Sequence, residues 1–224
     1  MKCSNWLHIL LAAALLSMQK PVSLTQTTPV APLPKVIVLV QSPAETKTDL
    51  QIFCLFRSSP MNPLHGSLIE INERLHGLLD QLRTHGLFDG NLGETILLTP
   101  PAGTIAAKKL LIIGLGDSSS FTPARVYLVG KIALREANRL GIAHPNFAPT
   151  ILDGGVTTFS TADVAEQVVR GLRDALATES LLRKESSADP LAVDDFTFLA
   201  GTKHAAETQG GINRALGVSV PSAQ

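Results

Sequence analysis

The sequence predicts an α/β fold: a three-layer sandwich whose mixed, mostly parallel sheet carries helices on both faces. Three observations predict it. Short β-branched or leucine-rich runs, VIVLV at 36–40 and KLLII at 109–113, read as strands buried on both faces. Between them lie longer segments with apolar residues at helical spacing. Strands alternating with helices of this length imply right-handed crossovers over a covered sheet. The 224 residues, 45% hydrophobic and with no net charge, suffice for one sizeable core. The same balance excludes wholesale disorder, and the lack of clustered Lys and Arg excludes a nucleic-acid partner.

The elements follow in chain order. Lys2 and the 13-residue apolar run Trp6 to Met18 form the n- and h-regions of a signal peptide, residues 1–25, implying export to the periplasm or medium. The run is too short for a stable membrane span; an uncleaved tether or a cytoplasmic extension is the alternative. Residues 26–34 are proline-rich and read as a linker, so the domain is expected over 35–220. Strand 36–40 is followed by a second strand at 50–56, which holds Cys54 as a core residue. Ser67 and Glu70 make a capping-box pattern opening one helix near 67–84. Strands at 94–99 and 109–113 come next. Thr122-Pro123 starts a helix that Gly141 closes. A short strand, Ala148 to Leu152, ends at Asp153-Gly154-Gly155. Ser160 and Asp163 cap a helix to about residue 183. A strand from Phe196 to Ala200 and a helix from His204 to Leu216 complete the order β-β-α-β-β-α-β-α-β-α.

In such sheets ligands bind beyond the carboxyl ends of the strands. Two glycine-rich turns fit that place: Gly114, Gly116 and Asp117 after one strand, and Asp153, Gly154 and Gly155 after another. Each combines a close-approach backbone with a helix N-terminus, a combination suited to phosphate or carboxylate; the alternative is that the glycines serve tight turns. The two turns are expected side by side. GLGDSS is not a dinucleotide fingerprint, because Ser119 stands at the third glycine position and no acid follows at the required distance. No H-E-x-x-H pair, nucleophile elbow or thiolate cluster exists, so no catalytic residue, metal or cofactor is expected. His76 reads as a solvated helix residue, and Asp194-Asp195 as a surface pair on opposite strand faces.

Residues 64 to 176 resemble the N-terminal domain of the leucyl aminopeptidase family. Phe88, Gly90, Gly93 and Glu94 match its F-x-G-x-x-G-E segment, and Ile113-Gly114-Leu115-Gly116 the strand end that follows. Val169-Arg170-Gly171-Leu172 matches a later helical stretch. The resemblance implies a macro-domain-like sandwich. Macro domains bind ADP-ribose at the carboxyl edge, whereas in leucyl aminopeptidases this domain is non-catalytic, packs on the catalytic domain and assists hexamer assembly. The family's metal-binding N-T-D-A-E-G-R-type segment does not occur in this sequence. The expected function is therefore a stand-alone non-catalytic domain for protein interaction or assembly, with a protein partner or a second copy. The alternative is a macro-like module for a small phosphorylated or ADP-ribose-like ligand. Two carboxylates at the mouth, Asp117 and Asp153, would oppose a diphosphate, so weak or no ADP-ribose binding is expected.

Overall fold

The computed structural model describes residues 32–59, 63–185 and 190–218. The expected signal peptide and most of the linker lie outside the described residues. Six strands form one sheet: β1 (Lys35–Leu39), β2 (Gln51–Leu55), β3 (Thr95–Leu98), β4 (Leu110–Gly114), β5 (Asn146–Ala148) and β6 (Asp195–Leu199). Their spatial order is β1-β6-β5-β2-β4-β3. Every pairing is parallel except that of β3 with β4. Helices α1 (Gly66–Arg74) and α2 (Leu78–Thr84) cover one face. Helices α3 (Val126–Arg139), α4 (Thr161–Lys184) and α5 (Ala205–Leu216) cover the other. The fold class is thus the expected mixed, mostly parallel α/β sandwich.

The two cores reflect the period-2 alternation of the strands. Ile52 and Cys54 of β2 point toward α3 and α4, while Phe53 and Leu55 point toward α1 and α2. All five residues of β2 and of β4 are buried, as a central parallel strand requires. β1 departs from expectation: it is an edge strand, with Lys35 and Leu39 exposed.

Three helical expectations change. The predicted helix over 67–84 is two helices, because His76 and Gly77 adopt left-handed backbone at φ 56° and 79°. Ser67 does not cap α1; the N-cap is His65, and the Ser67 hydroxyl donates to Asp153 instead. Glu70 accepts a hydrogen bond from Ser42 at 2.7 Å. Ser160 behaves as expected, its Oγ accepting from the Asp163 N–H at 3.0 Å. Thr122-Pro123 opens a short 3-10 turn, Pro123–Arg125, before α3. Helices α3 and α4 cross with backbones in contact at glycines. A Cβ on Gly130 would meet the Val168 carbonyl at 2.2 Å, and one on Gly171 the Tyr127 carbonyl at 2.1 Å.

Candidate functional site

The carboxyl ends of β2, β4, β5, β6 and β1 share one edge, as parallel pairing dictates. The two glycine turns therefore lie on the same edge, but they are not neighbours. β2 runs between β4 and β5, so the strands that carry the turns are separated by two strand spacings, about 10 Å.

The first turn is filled by protein. The Gly114 N–H donates to the Glu94 carbonyl and its own carbonyl accepts from Gly93. A Cβ on Gly114 would stand 2.0 Å from the Asn91 carbonyl oxygen. The Gly116 N–H donates to Gly90 at 2.8 Å, and its carbonyl accepts from Arg57 at 2.8 Å. This contact explains the F-x-G-x-x-G-E segment. Phe88 is fully buried, and Gly90, at φ 77°, presses against the Phe56–Arg57 backbone. The Glu94 carboxylate accepts from the N–H groups of Asp89 and Asn91 at 3.2 and 2.9 Å. Asp117 is exposed and accepts from the Ser119 N–H and hydroxyl, both at 2.8 Å. The Ser119 N–H foremost, then its hydroxyl, holds the Asp117 carboxyl below the usual aspartate range.

The second turn belongs to a cavity of about 540 Å³. β5 ends at Ala148, two residues before the expected strand would have gained its third residue, so Asp153 does not end a strand. Pro149 cannot donate to the ladder, and Thr150 takes left-handed backbone at φ 51°. Residues 150–155 then coil over the edge. The Asp153 carbonyl accepts from His65 at 2.9 Å, and its carboxylate accepts from Ser67. A Cβ on Gly66 would lie 2.2 Å from Asp153 Oδ1, so the carboxylate rests on the first turn of α1. Gly154 packs on the Phe56 ring, leaving no room for a Cβ, and Gly155 supplies φ 83°. Of the expected site residues, Asp153 lines the cavity; Gly114, Gly116, Asp117, Gly154 and Gly155 do not.

Most of the wall comes from residues that the sequence reading left out. The chain after β1 (Val40–Pro43) and the end of β6 with its turn (Leu199–Thr202) form one side. Ser67 of α1, Thr161 and Val164 of α4, and His204 and Thr208 at the start of α5 close the rest. The signal for them was Gly201 directly after an apolar strand and before a helix. A shallower hollow shares Leu152, Phe159, Thr161 and His204 with the cavity and adds Glu207, which accepts from Thr161 Oγ1 at 2.6 Å. A row of rings links the turns. Phe56 contacts Phe121 edge-on at 5.2 Å, and Phe121 contacts Phe159 at 5.6 Å, in the cavity wall. Cys54 is a core residue, as expected, and burial pushes its thiol pKa up. His76 is exposed, as expected of a solvated residue. Asp195 pairs with His144 at 2.6 Å on the opposite edge of the sheet. Among the described residues no cluster of three or more metal-ligating side chains occurs, and no helix is long and apolar enough to cross a membrane.

Comparison with known proteins places this geometry. The sequence is 28% identical over 180 residues to a probable cytosol aminopeptidase of Roseiflexus castenholzii, covering 80% of this chain and 33% of that protein. It is also 28% identical over 150 residues to a probable cytosol aminopeptidase of Thermosynechococcus vestitus, covering 64% of this chain and 28% of that protein. The chain thus spans about a third of the length of these relatives. A leucine aminopeptidase mutant from tomato superposes with a TM-score of 0.61 at 17% identity, over 84% of this chain and 37% of that one. The Trypanosoma brucei macrodomain in complex with ADP-ribose superposes at 0.54 and 14% identity, over 81% and 68%. These likenesses show the fold. Residues 52–184, more than half of the chain, match the profile described as "Cytosol aminopeptidase family, N-terminal domain". The chain, with its edge-packed glycine segment and α/β sandwich, therefore belongs to the cytosol aminopeptidase family through that N-terminal domain.

Proposed function

We propose that this domain is a non-catalytic, macro-like module that holds a small phosphorylated or otherwise anionic ligand at the carboxyl edge of β1, β6 and β5. The observation that carries the reading is the cavity of about 540 Å³, a volume suited to a nucleotide-sized molecule and lined largely by apolar residues. The objection raised by two carboxylates is reduced. Asp117 stands apart from the cavity, and Asp153 is engaged by Ser67 at the start of α1. Solved macrodomains of the same fold are described in complex with ADP and with ADP-ribose, which supports the reading by analogy. Titration calorimetry against AMP and ADP-ribose tests it. Saturable heat that disappears when Ala200→Trp fills the cavity is expected; no heat from either compound at about 1 mM would remove the reading.

A second reading, a module for protein interaction or assembly, is favoured by one observation. Leu92, Leu97 and Leu128 are exposed, with Leu97 on β3, the edge strand next to β4. Sedimentation of wild type against Leu97→Lys tests it; a monomer in both cases would exclude self-association. We further infer export through residues 1–25, from Lys2 and the run Trp6 to Met18. The mature protein should begin between about residues 19 and 32 by mass spectrometry, and an intact Met1 in a cytoplasmic fraction would refute export.

A further inference from the structure

The side chains around the cavity offer acceptors and few donors. Six lining residues carry hydroxyl groups: Ser42, Ser67, Thr150, Thr161, Thr202 and Thr208. A hydroxyl has one proton to give and two lone pairs to offer. Four of the six give that proton to the protein. Ser42 donates to Glu70 at 2.7 Å, and Ser67 donates to Asp153. Thr150 donates to the Cys54 carbonyl and Thr161 to Glu207, each at 2.6 Å. Three of these acceptors are carboxylates, whose charge strengthens the bond and holds the proton on the protein side. What these hydroxyls can still offer a ligand is an oxygen acceptor.

The charges have the same polarity. Asp153 and His204 are the ionisable residues of the wall, and among the described residues no Lys or Arg lines it. Ser67 takes Asp153 Oδ2, while Oδ1 accepts no hydrogen bond from a described residue. His204 Nδ1 stands 3.9 Å from Glu207, so a charge on His204 is met by an acid of the protein. Arg74, behind Ser42, is paired with Glu70 and Glu45 at 2.8 and 3.0 Å. A phosphate inside would lose its water and meet no cation from the wall. It would also feel Asp153, because a cavity of about 540 Å³ is about as wide as the roughly 8 Å over which physiological salt screens a charge. The remaining wall, with Val40, Ile151, Phe159 and Leu199, is apolar and suits the faces of a flat or cyclic group.

We propose that the cavity reads hydrogen-bond donors: the uncharged head of the ligand, a nucleoside with its amino and hydroxyl groups, lies inside with one donor on Asp153 Oδ1, and the phosphate stays outside in water. This rests on the small-molecule reading of the same cavity and assigns which part of the ligand the protein recognises. The phosphate then adds little to affinity, and the Asp153 carboxylate attracts the ligand where it would repel a buried phosphate. Adenosine and AMP are the probes, since they differ in the phosphate alone.

Calorimetric titration of the full chain with both compounds decides the matter. Adenosine is expected to bind within about fivefold of AMP, or more tightly. Asp153→Asn keeps the size of the side chain and removes its charge, so affinity for both probes should fall about tenfold. An unchanged melting temperature in Asp153→Asn separates this loss from misfolding, and the comparison of the two probes on the wild type needs no variant at all. A preference for AMP beyond about fivefold overturns donor recognition. So does an Asp153→Asn protein that binds AMP more tightly than wild type, or adenosine equally well; the small-molecule reading survives each of these results. No binding by either compound overturns donor recognition and that reading together.

Discussion

The Thr150 side chain substitutes for a strand at the backbone of Cys54. Its Oγ1 accepts from the Cys54 N–H at 3.0 Å and donates to the Cys54 carbonyl at 2.6 Å. β5 stops pairing with β2 at Phe53↔Ala148, so these two buried groups would otherwise have no partner on that side. Thr150→Val should cost about 2 kcal/mol, because it leaves both groups unmet in a dry core. Thr150→Gly should cost about 1 kcal/mol less than Thr150→Val, since it relieves the left-handed backbone. Urea unfolding of the two variants measures the order; a valine variant as stable as wild type would contradict the role.

Gly130→Ala and Gly171→Ala are each expected to destabilise the protein by about 2 kcal/mol or more. Helix propensity alone predicts the reverse sign, a gain of about 1 kcal/mol from replacing glycine by alanine. The added methyl would stand 2.2 and 2.1 Å from a carbonyl oxygen of the facing helix, and backbone cannot rotate away as a side chain can. Gly141→Ala has open space around the new methyl but needs φ 67°, so its cost comes from backbone strain alone. Thermal denaturation of the three variants distinguishes clash from strain.

The Cys54 thiol, 1% exposed and with its pKa raised by burial, should not react with a disulfide reagent at pH 8 in the native protein. Reaction should appear with unfolding and follow its denaturant dependence. Fast labelling of the folded protein would mean that the sheet opens locally at β2.

Asp117 contributes to pH dependence with a defined sign. Its folded pKa lies below the ordinary value of 3.8, so its contribution is present above that value. It is lost as pH falls through the folded pKa. The Asp117→Asn variant should therefore show a slightly shallower loss of stability than wild type below about pH 4. The effect is small, because Asp117 is exposed to solvent. Carboxyl chemical shifts would give the midpoint directly; a value at or above 3.8 would contradict the assignment.

The order of elements was legible because each strand and most helices announce themselves locally. KLLII and DLQIFCLF can only be buried strands, and Ser160-x-x-Asp163 caps as its spacing says. What failed depended on residues distant in sequence. Ser67 and Glu70 looked like a capping pair, but Asp153 and Ser42 are stronger partners brought close by the fold. The break at His76-Gly77 was hidden by leucines that keep helical spacing on both sides of it. Glycine alone could not say which of two turns faces a cavity. Gly114 and Gly116 meet the 90–92 segment, whereas Asp153 of the second turn lines the cavity. The placement of β2 between β4 and β5 also had no local signature, since crossover length does not fix how many strands are passed over.

The row Phe56, Phe121 and Phe159 gives the two separated turns a common support. Phe56 lies under Gly154, Phe121 follows the turn that holds Asp117, and Phe159 faces the cavity. Close-packed rings pass a displacement on because no void is available to absorb it. A bulkier or smaller residue at Phe121 would therefore be felt in the cavity wall, although Phe121 itself does not line it. The central ring acts as a keystone between the turn that holds Asp117 and an opening built from quite different residues.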